Sequence, residues 1–224
     1  MHLFKSGNKY YLSKSGSKYY GWEDDYIISN GELKWCNPNI YLSHNAESNW
    51  TSPFSINNIL HKNEDELSVT FKKLSELEGN TNQGPLFGGT DGEWGFSLSR
   101  WWSGIDNKHG NGYITADVKH TMMLKNYEIY LNGTSLNLPE GSHSGISNNP
   151  TTVSTFYSAN GTLKGNIYNI IWKRNNNLLY YLVPVPTDLQ IGSFTVPSNG
   201  MFDIVNQQFY ANQGSGTFTY GKDS

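Results

Sequence analysis

Apolar and polar residues alternate with a period of two along much of the chain, a pattern typical of β-strands with one buried face. The clearest example is a pair of apolar runs, Ile167–Lys173 and Leu178–Val183, separated by the Asn-rich segment Arg174–Asn177. Asn tolerates the positive φ angles of tight turns, so the three segments together predict a β-hairpin.

A second hairpin is predicted near the middle of the chain. The dipeptide Asn132-Gly133, which suits a type I′ turn, separates the runs Tyr127–Leu131 and Thr134–Leu138. The residues Ser68–Leu74 fit one face of a helix and a half-buried strand equally well. Further strands are predicted at Leu86–Gly88, Trp94–Arg100 and Val153–Tyr157. About ten to thirteen strands with almost no helix favour two antiparallel sheets packed face to face.

The first strand of the C-terminal hairpin is apolar on both faces. Under strict alternation, Tyr168, Ile170 and Trp172 fall on one face, and Ile167 and Ile171 fall on the other. A strand covered on a single side should instead alternate with polar residues. We therefore expect a loop of the same chain or a neighbouring subunit to cover the second face.

A short repeat sets the first 35 residues apart. The sequence SGNKYY at Ser6–Tyr11 recurs as SGSKYY at Ser15–Tyr20, a spacing that suits short strands joined by Ser-Gly turns. A few short strands bury little apolar surface alone. We predict a β meander over residues 1–35, as an anchoring or assembly segment or as an accessory sheet, and one main domain over residues 36–224.

Composition and charge limit the kinds of molecule that we expect the chain to bind. Charged residues make up 16% and aromatic residues 14% of the chain, which favours a surface that binds through rings and neutral hydrogen bonds. The net charge is −3 and no basic cluster is longer than Lys72-Lys73, so nucleic acid binding is not expected. No apolar run is long enough for membrane insertion, and the N-terminal residues lack a hydrophobic signal core. The single cysteine, Cys36, excludes an internal disulfide and fits assembly in a reducing cytoplasm.

The residue patterns argue against an enzyme. Retaining glycosidases need two carboxyl groups about 5 Å apart, which alternate positions of one strand can supply. Glu64 and Glu66 alternate in this way, but they lie in a charged turn without the apolar frame of a cleft. There is no G-x-S-x-G motif, and no neighbouring motif marks Cys36 as an activated thiol. We therefore predict no catalytic residues.

The histidines and carboxylates do not predict a metal site. The six histidines lack an H-x-x-x-H pattern, and we expect them at the surface or in hairpins. Asp91, Asp106 and Asn107 lie in predicted loops and could hold a calcium ion, but the DxDxDG pattern is missing. Calcium is therefore unsupported, and we predict neither a metal nor a cofactor.

The strongest candidate for a ligand site is the segment SRWWSGIDNKHGNGY. Trp101 and Trp102 follow a predicted strand, and adjacent strand residues point to opposite faces, so one indole can stay outward. An exposed ring can stack on the apolar face of a pyranose while nearby polar groups bond its hydroxyls. We predict a glycan site formed by Arg100, Trp101, Trp102, Asp106, Asn107 and His109. In the alternative, both rings pack between sheet and loop. Trp35 and Trp50 are weaker candidates, because nothing near them in the sequence looks like a site.

The C-terminal quarter, Gly165 to Gly221, resembles a known family. A hairpin ending in a Leu-Val-Pro step is followed by an Asp-centred turn, a short aromatic strand, a Gly-rich bend and a final strand, Thr217–Tyr220. This order resembles the C-terminal signature of concanavalin A-like, laminin-G-like jelly-roll domains of bacteriophage virion proteins, and a looser resemblance extends back to about Ser68. The matching residues are Leu182, Val183, Pro184, Phe202, Asp203, Phe209, Tyr210, Asn212, Gly214, Gly216, Phe218 and Gly221.

The resemblance implies an all-β, two-sheet antiparallel jelly-roll sandwich, with the short β meander at its N-terminal side. It favours strands at Ser68–Leu74 and His120–Leu124. It also implies a non-enzymatic virion protein, a fibre or decoration subunit that assembles in the host cytoplasm and whose lectin-like domain binds host-surface glycans. The expected partners are host carbohydrate, other virion subunits and further copies of the chain, with a trimer as the expected homo-oligomer. The alternatives are a purely structural subunit of the virion and a glycan depolymerase.

Overall fold

The chain folds into antiparallel β-sheets. The structure, a computed structural model, describes residues 2–6, 9–13, 25–45, 54–59, 62, 64–74, 85–89, 95–97, 101–102, 115, 117–126, 128–136, 151–155, 164–197, 200–213 and 217–224. Every strand pairing among these residues is antiparallel, and none of these residues lies in a helix. The predicted all-β class is therefore confirmed.

The strands of the described residues form two larger sheets and three small ones. The ten-stranded sheet contains β5 (Ile40–Asn45), β7 (Asp65–Lys73), β11 (Lys119–Lys125), β12 (Glu128–Leu131), β13 (Thr134–Ser135), β15 (Lys164–Arg174), β16 (Asn177–Val185), β19 (Gly200–Asp203), β20 (Gln208–Ala211) and β21 (Thr217–Lys222). The five-stranded sheet contains β6 (Phe54–Ile59), β8 (Pro85–Gly89), β9 (Gly95–Ser97), β10 (Trp101–Trp102) and β14 (Thr151–Thr155). The two-stranded sheets are β1 (His2–Ser6) with β2 (Lys9–Ser13), β3 (Tyr26–Ser29) with β4 (Glu32–Cys36), and β17 (Gln190–Ile191) with β18 (Phe194–Thr195).

The long strand β15 lies at the centre of the ten-stranded sheet. Its neighbour on one side is β7, and its other side is shared by β5 near the start of β15 and by β16 near its end. The order then runs from β16 through β19 to β20, while β21 pairs with β5. Strands far apart in the sequence are thereby brought to one surface.

Both predicted hairpin turns are present. Asn175 and Asn176 join β15 to β16 with φ angles of 48° and 65°, and Asn132 and Gly133 join β12 to β13 with φ angles of 51° and 82°. These left-handed conformations are the ones a type I′ turn requires, and they explain why Asn and Gly occupy the turns. The predicted hairpins are confirmed.

The residues that fitted both a helix and a strand form a strand. Leu67, Val69 and Phe71 of β7 are buried, whereas the residues between them are partly exposed. The three side chains belong to one core cluster with apolar residues of β11, β15, β16, β19 and β21. Ile56 of β6 packs in the same cluster, so the five-stranded sheet contributes to the core of the larger sheet.

A β-bulge in β15 changes the predicted distribution of its side chains. Ile167 pairs with Phe71 and Asn169 with Thr70, which leaves Tyr168 as the extra residue. Past this irregularity the parity of the strand shifts, and Ile167 lies in the same core cluster as Ile170. The prediction that Ile167 and Ile170 face opposite sides is therefore wrong.

The second face of the sheet is covered, near β16 and β19, by other parts of the same chain. Val183 and Phe202 belong to a second buried cluster, with Leu33 of the β3–β4 hairpin and Ile191 of β17. Of the two predicted covers, a segment of the same chain is the one found at this place. The predicted homo-oligomer stays a prediction.

The proposed division of the chain at residue 35 falls inside β4. The hairpin that contains this position packs on the ten-stranded sheet through Leu33 and Cys36. The second copy of the short repeat, residues 15–20, lies outside the described residues. The two-domain division remains a prediction.

Candidate functional site

The predicted glycan residues lie mostly outside the described part of the chain. Arg100, Asp106, Asn107 and His109 are not among the described residues. Trp101 and Trp102 form β10, the edge strand of the five-stranded sheet, and pair with Phe96 and Gly95 of β9. Asp91, considered for calcium, also lies outside the described residues. The predicted site at residues 100–109 therefore stays a prediction.

The described residues contain an exposed indole at a different place, on β4. Trp35 pairs with Ile27 of β3, and Leu33 pairs with Ile28, so that Lys34 is an extra residue on β4. This bulge interrupts the alternation that would place Leu33 and Trp35 on the same face. Leu33 is fully buried, whereas the Trp35 side chain points away from the core with 39% of the residue exposed.

The Trp35 indole has an apolar neighbour and a polar rim, and we call this group of residues the Trp35 face. Ile27, its cross-strand partner, is 41% exposed. The next pair along the same hairpin is Asp25 and Asn37, where the Asn37 amide N–H donates to the Asp25 carbonyl at 2.7 Å. Asp25 and Asn37 lie one position outside β3 and β4, and if the alternation of the strands continues, we infer that their side chains lie on the side of Ile27 and Trp35. The Trp35 face also includes Lys222, through its contact with Asp25.

The polar rim of the Trp35 face is held by hydrogen bonds. Asp25 Oδ1 accepts from Asn37 Nδ2 at 2.8 Å and from Lys222 Nζ at 2.5 Å. Asn37 Oδ1 accepts from the backbone N–H of Asn39 at 3.0 Å, which fixes the amide orientation. Lys222 reaches this point from β21, where it pairs with Ile40 of β5. The rim therefore depends on two segments that are distant in the sequence.

A second polar group lies on the ten-stranded sheet and surrounds the bulged residue Tyr168. The Tyr168 hydroxyl donates to Asp223 Oδ2 at 2.6 Å, and Lys72 Nζ donates to both Asp223 oxygens at 2.8 and 2.7 Å. Lys119 Nζ lies 3.9 Å from the centroid of the Tyr168 ring and donates to the Pro38 carbonyl at 2.7 Å. The group ties β7, β11, β15 and the residues after β21 together.

Burial and charge shift the proton affinities in this group. Burial, with the bond to Asp223, raises the pKa of Tyr168 to about 12. Burial alone would raise the pKa of Asp223, but the hydrogen bonds from Lys72 and Tyr168 outweigh it and lower this pKa. Burial lowers the pKa of the Lys119 ammonium, with Lys72 acting in the same direction and Asp223 against it. The side chains of Lys72, Tyr168 and Asp223 bond to one another, so their role is to hold the surrounding strands together.

Two further side chains of types that often act in catalysis, Cys36 and His120, are buried. The Cys36 thiol lies near the Pro184 carbonyl, and burial raises its pKa to about 12, so it is a weak nucleophile at neutral pH. His120, expected at the surface or in a hairpin, lies in β11 of the β11–β12 hairpin and is buried, with Nδ1 3.1 Å from Asn132 Nδ2 and Nε2 3.2 Å from the Thr115 carbonyl. Nδ1 thus faces the Asn132 side-chain amide and Nε2 faces a backbone carbonyl. Within the described residues, no three His, Cys, Asp or Glu side chains lie together as a metal site would require.

The sequence analysis gave Trp35 little weight and did not identify its polar neighbours. Simple alternation places Trp35 on the face of Leu33, and only the bulge at Lys34 turns it outward. Asp25 and Asn37 flank the hairpin symmetrically in the sequence, which is the one signal that could have indicated their proximity. Lys222 comes from 197 residues beyond Asp25, and no local pattern predicts that contact.

Comparisons of this chain with known sequences and structures identify no relative. Within the described ranges, no helix has the length and apolar character needed to span a membrane. No protein-family model, no curated protein and no solved structure matches this chain.

Proposed function

We propose that the protein is a non-enzymatic bacteriophage virion protein, a fibre or decoration subunit whose lectin-like domain binds host-surface glycans. The observation that carries this proposal is the arrangement of its last strands. The β15–β16 hairpin is followed by a hairpin that turns at Asp203, and β21 returns to pair with β5. This order of hairpin, Asp-centred turn, aromatic strand and closing strand is the one expected from the family that the chain resembles.

The finer fold that we propose is a two-sheet jelly roll of the concanavalin A-like type. It is supported by the antiparallel pairing throughout and by Ile56 of the five-stranded sheet, which packs in the core cluster of the ten-stranded sheet. Two sheets that share one apolar layer form a sandwich. In this arrangement the edge strand β10 carries Trp101 and Trp102 at the border of the smaller sheet.

Glycan binding is supported by the type of surface that the chain offers. Its charge density is low, and its aromatic content is 14%. Rings supply apolar contact area to the C–H faces of sugars, and neutral amides and hydroxyls supply hydrogen bonds. The expected setting is the virion, assembled in the host cytoplasm, with other virion subunits and further copies of the chain, as a trimer, as protein partners.

The proposal is tested with purified protein on an array of immobilised oligosaccharides. We expect selective binding by the wild type, and an affinity about ten-fold lower in Trp101→Ala or Trp102→Ala, because loss of a stacking ring removes about 1.4 kcal/mol. Normal unfolding midpoints for both variants serve as the folding control. Unchanged affinity in both variants would remove the site at residues 100–109 but not the function.

The alternatives give different results in the same preparations. A purely structural subunit would bind no glycan on the array yet assemble with other virion proteins. A depolymerase would lower the viscosity of a host polysaccharide solution. Either result would overturn the proposed function.

A further inference from the structure

We propose that the Trp35 face binds one neutral pyranose unit, with the Trp35 indole as its stacking platform. The proposal rests on the glycan-binding function and assigns a second site, separate from residues 100–109. It also specifies the class of sugar. Four features carry it: the exposed apolar pair, the polar rim, the balance of charge and the size of the surface.

The apolar pair has the form of a sugar platform. Trp35 and Ile27 lie opposite each other on two antiparallel strands and are 39% and 41% exposed. Leu33 and Cys36, on the other side of the hairpin, are buried against the ten-stranded sheet. The hairpin is thereby held in place, and its outward ring is presented on a support that is already folded.

The polar rim lies at a distance that suits the hydroxyl groups of a stacked ring. Asp25 and Asn37 are two positions along the strands from Ile27 and Trp35, or about 7 Å at the usual rise per residue. The Asp25 side chain is only 14% exposed, so its role is to position Lys222. Lys222 is 47% exposed and keeps donors that the bond to Asp25 does not use. These donors can bond sugar hydroxyls.

The balance of charge favours a neutral ligand. Asp25 is paired with Lys222, and Glu32 is paired with Lys34, the residue next to Trp35. Among the described residues, the two cations near Trp35 are thus each paired with a carboxylate. A uronic or sialic acid would bring an additional negative charge near Asp25 and Glu32, whose cations are already paired. A neutral hexose or N-acetylhexosamine carries no charge and is therefore not repelled by these carboxylates.

The size of the apolar surface distinguishes a sugar from a second copy of the chain. A stable protein–protein interface buries about 800 Å² on each partner and has an apolar centre. Among the described residues, the exposed apolar part of the Trp35 face is formed by two side chains, Trp35 and Ile27. Two side chains are too few for such an interface, whereas one indole is comparable in size to one sugar ring.

The site can be observed directly by fluorine NMR of protein labelled with 5-fluorotryptophan. The resonance of Trp35 is assigned by its loss in Trp35→Phe. We expect this resonance to shift and saturate on addition of glucose, galactose or N-acetylglucosamine, and to stay unchanged on addition of glucuronate or sialic acid. Shifts of other tryptophan resonances without a shift of Trp35 would overturn the inference and leave glycan binding intact.

The affinity measurement uses matched variants and the neutral oligosaccharide that binds best on the array. Trp35→Ala should weaken binding at this site about ten-fold or more. Phe194→Ala removes a ring that is 42% exposed on another hairpin, and it should leave the affinity unchanged. Lys222→Met, which keeps the side-chain stem, should weaken binding a few-fold.

Three results would contradict the site. Equal affinities for Trp35→Ala and Phe194→Ala would overturn it while sparing the proposed function. A Trp35 resonance that shifts with protein concentration in the absence of sugar would identify a second copy as the occupant. No binding of any glycan, on the array or by NMR, would overturn both the site and the function.

Discussion

At the scale of the residue, Asp203 shows how one side chain can define a turn. It is fully buried, and its carboxylate accepts the backbone N–H groups of Tyr181 at 3.0 Å and Val205 at 2.9 Å, both through Oδ1. Its Oδ2 accepts from Asn206 Nδ2. A buried carboxylate is tolerated here because neighbouring donors replace water. The turn and the end of β16 are thereby fixed to each other.

The exchange Asp203→Asn should lower the free energy of unfolding by about 2 kcal/mol, because the new amide would place a donor opposite Asn206 Nδ2 and leave buried groups unpaired. Urea denaturation measures this loss. The control is Asp188→Asn, at an exposed turn position with a positive φ angle. This exchange should leave the free energy of unfolding almost unchanged. Equal losses in the two variants would contradict the role assigned to the carboxylate.

At the scale of the element, the β3–β4 hairpin is attached to the sheet by a side-chain amide. Gln207 Nε2 donates to the Leu33 carbonyl at 2.9 Å, and Gln207 Oε1 accepts from the Leu33 N–H at 3.0 Å. This pair of bonds imitates the bonds that a neighbouring strand would make. The Tyr26 hydroxyl adds a bond to the Pro184 carbonyl at 3.2 Å. Cys36, the last residue of β4, is buried on the side of this hairpin that faces the sheet.

Opening of this hairpin can be followed by alkylation of Cys36 with iodoacetamide. Gln207→Asn tolerates the positive φ angle of this position but is too short to reach Leu33. We expect it to speed alkylation about ten-fold or more, because two hydrogen bonds of about 1 kcal/mol each are lost. Gln208→Asn, at the exposed neighbouring position, should alkylate at the wild-type rate. The same rate in both variants would refute the attachment.

The sequence predicted the positions of the strands and turns better than the sides of the strands to which their side chains point. Asn175, Asn176 and the Asn132-Gly133 pair mark turns because few other residues adopt their φ angles. The bulges at Tyr168 and Lys34 were not predicted, because a single extra residue shifts the alternation without leaving a distinct signal in the pattern. The outward direction of Trp35 could therefore not be inferred.

At the scale of the whole molecule, folding buries the rings of several tyrosines. Burial raises the pKa of Tyr168 and of Tyr210 to about 12, and it raises those of Tyr26 and Tyr220 as well. An unfolded tyrosine ionises near pH 10. Between about pH 10 and 12 the native state retains protons that the unfolded chain loses, so stability falls as the pH rises through this range.

Tyr168→Phe tests the contribution of one hydroxyl to this decline. At pH 8 the variant should be about 1 to 2 kcal/mol less stable than the wild type, because the bond to Asp223 is lost. Above pH 10 the difference should shrink, because the variant has no phenol to ionise at this position. Urea unfolding at pH 8, 10 and 11 measures both effects. A difference that stays constant across these pH values would contradict the assignment.

The contacts of the β3–β4 hairpin have a consequence for the order of events during synthesis. The hairpin leaves the ribosome before its partners Pro184 and Gln207, which follow 158 and 174 residues after Tyr26 and Leu33. At about 5–20 residues per second, the apolar side of the hairpin waits on the order of 10 to 30 s for the strands that cover it. The nascent chain must therefore keep Leu33 and Cys36 from associating with other chains until nearly the entire C-terminal sheet has been translated.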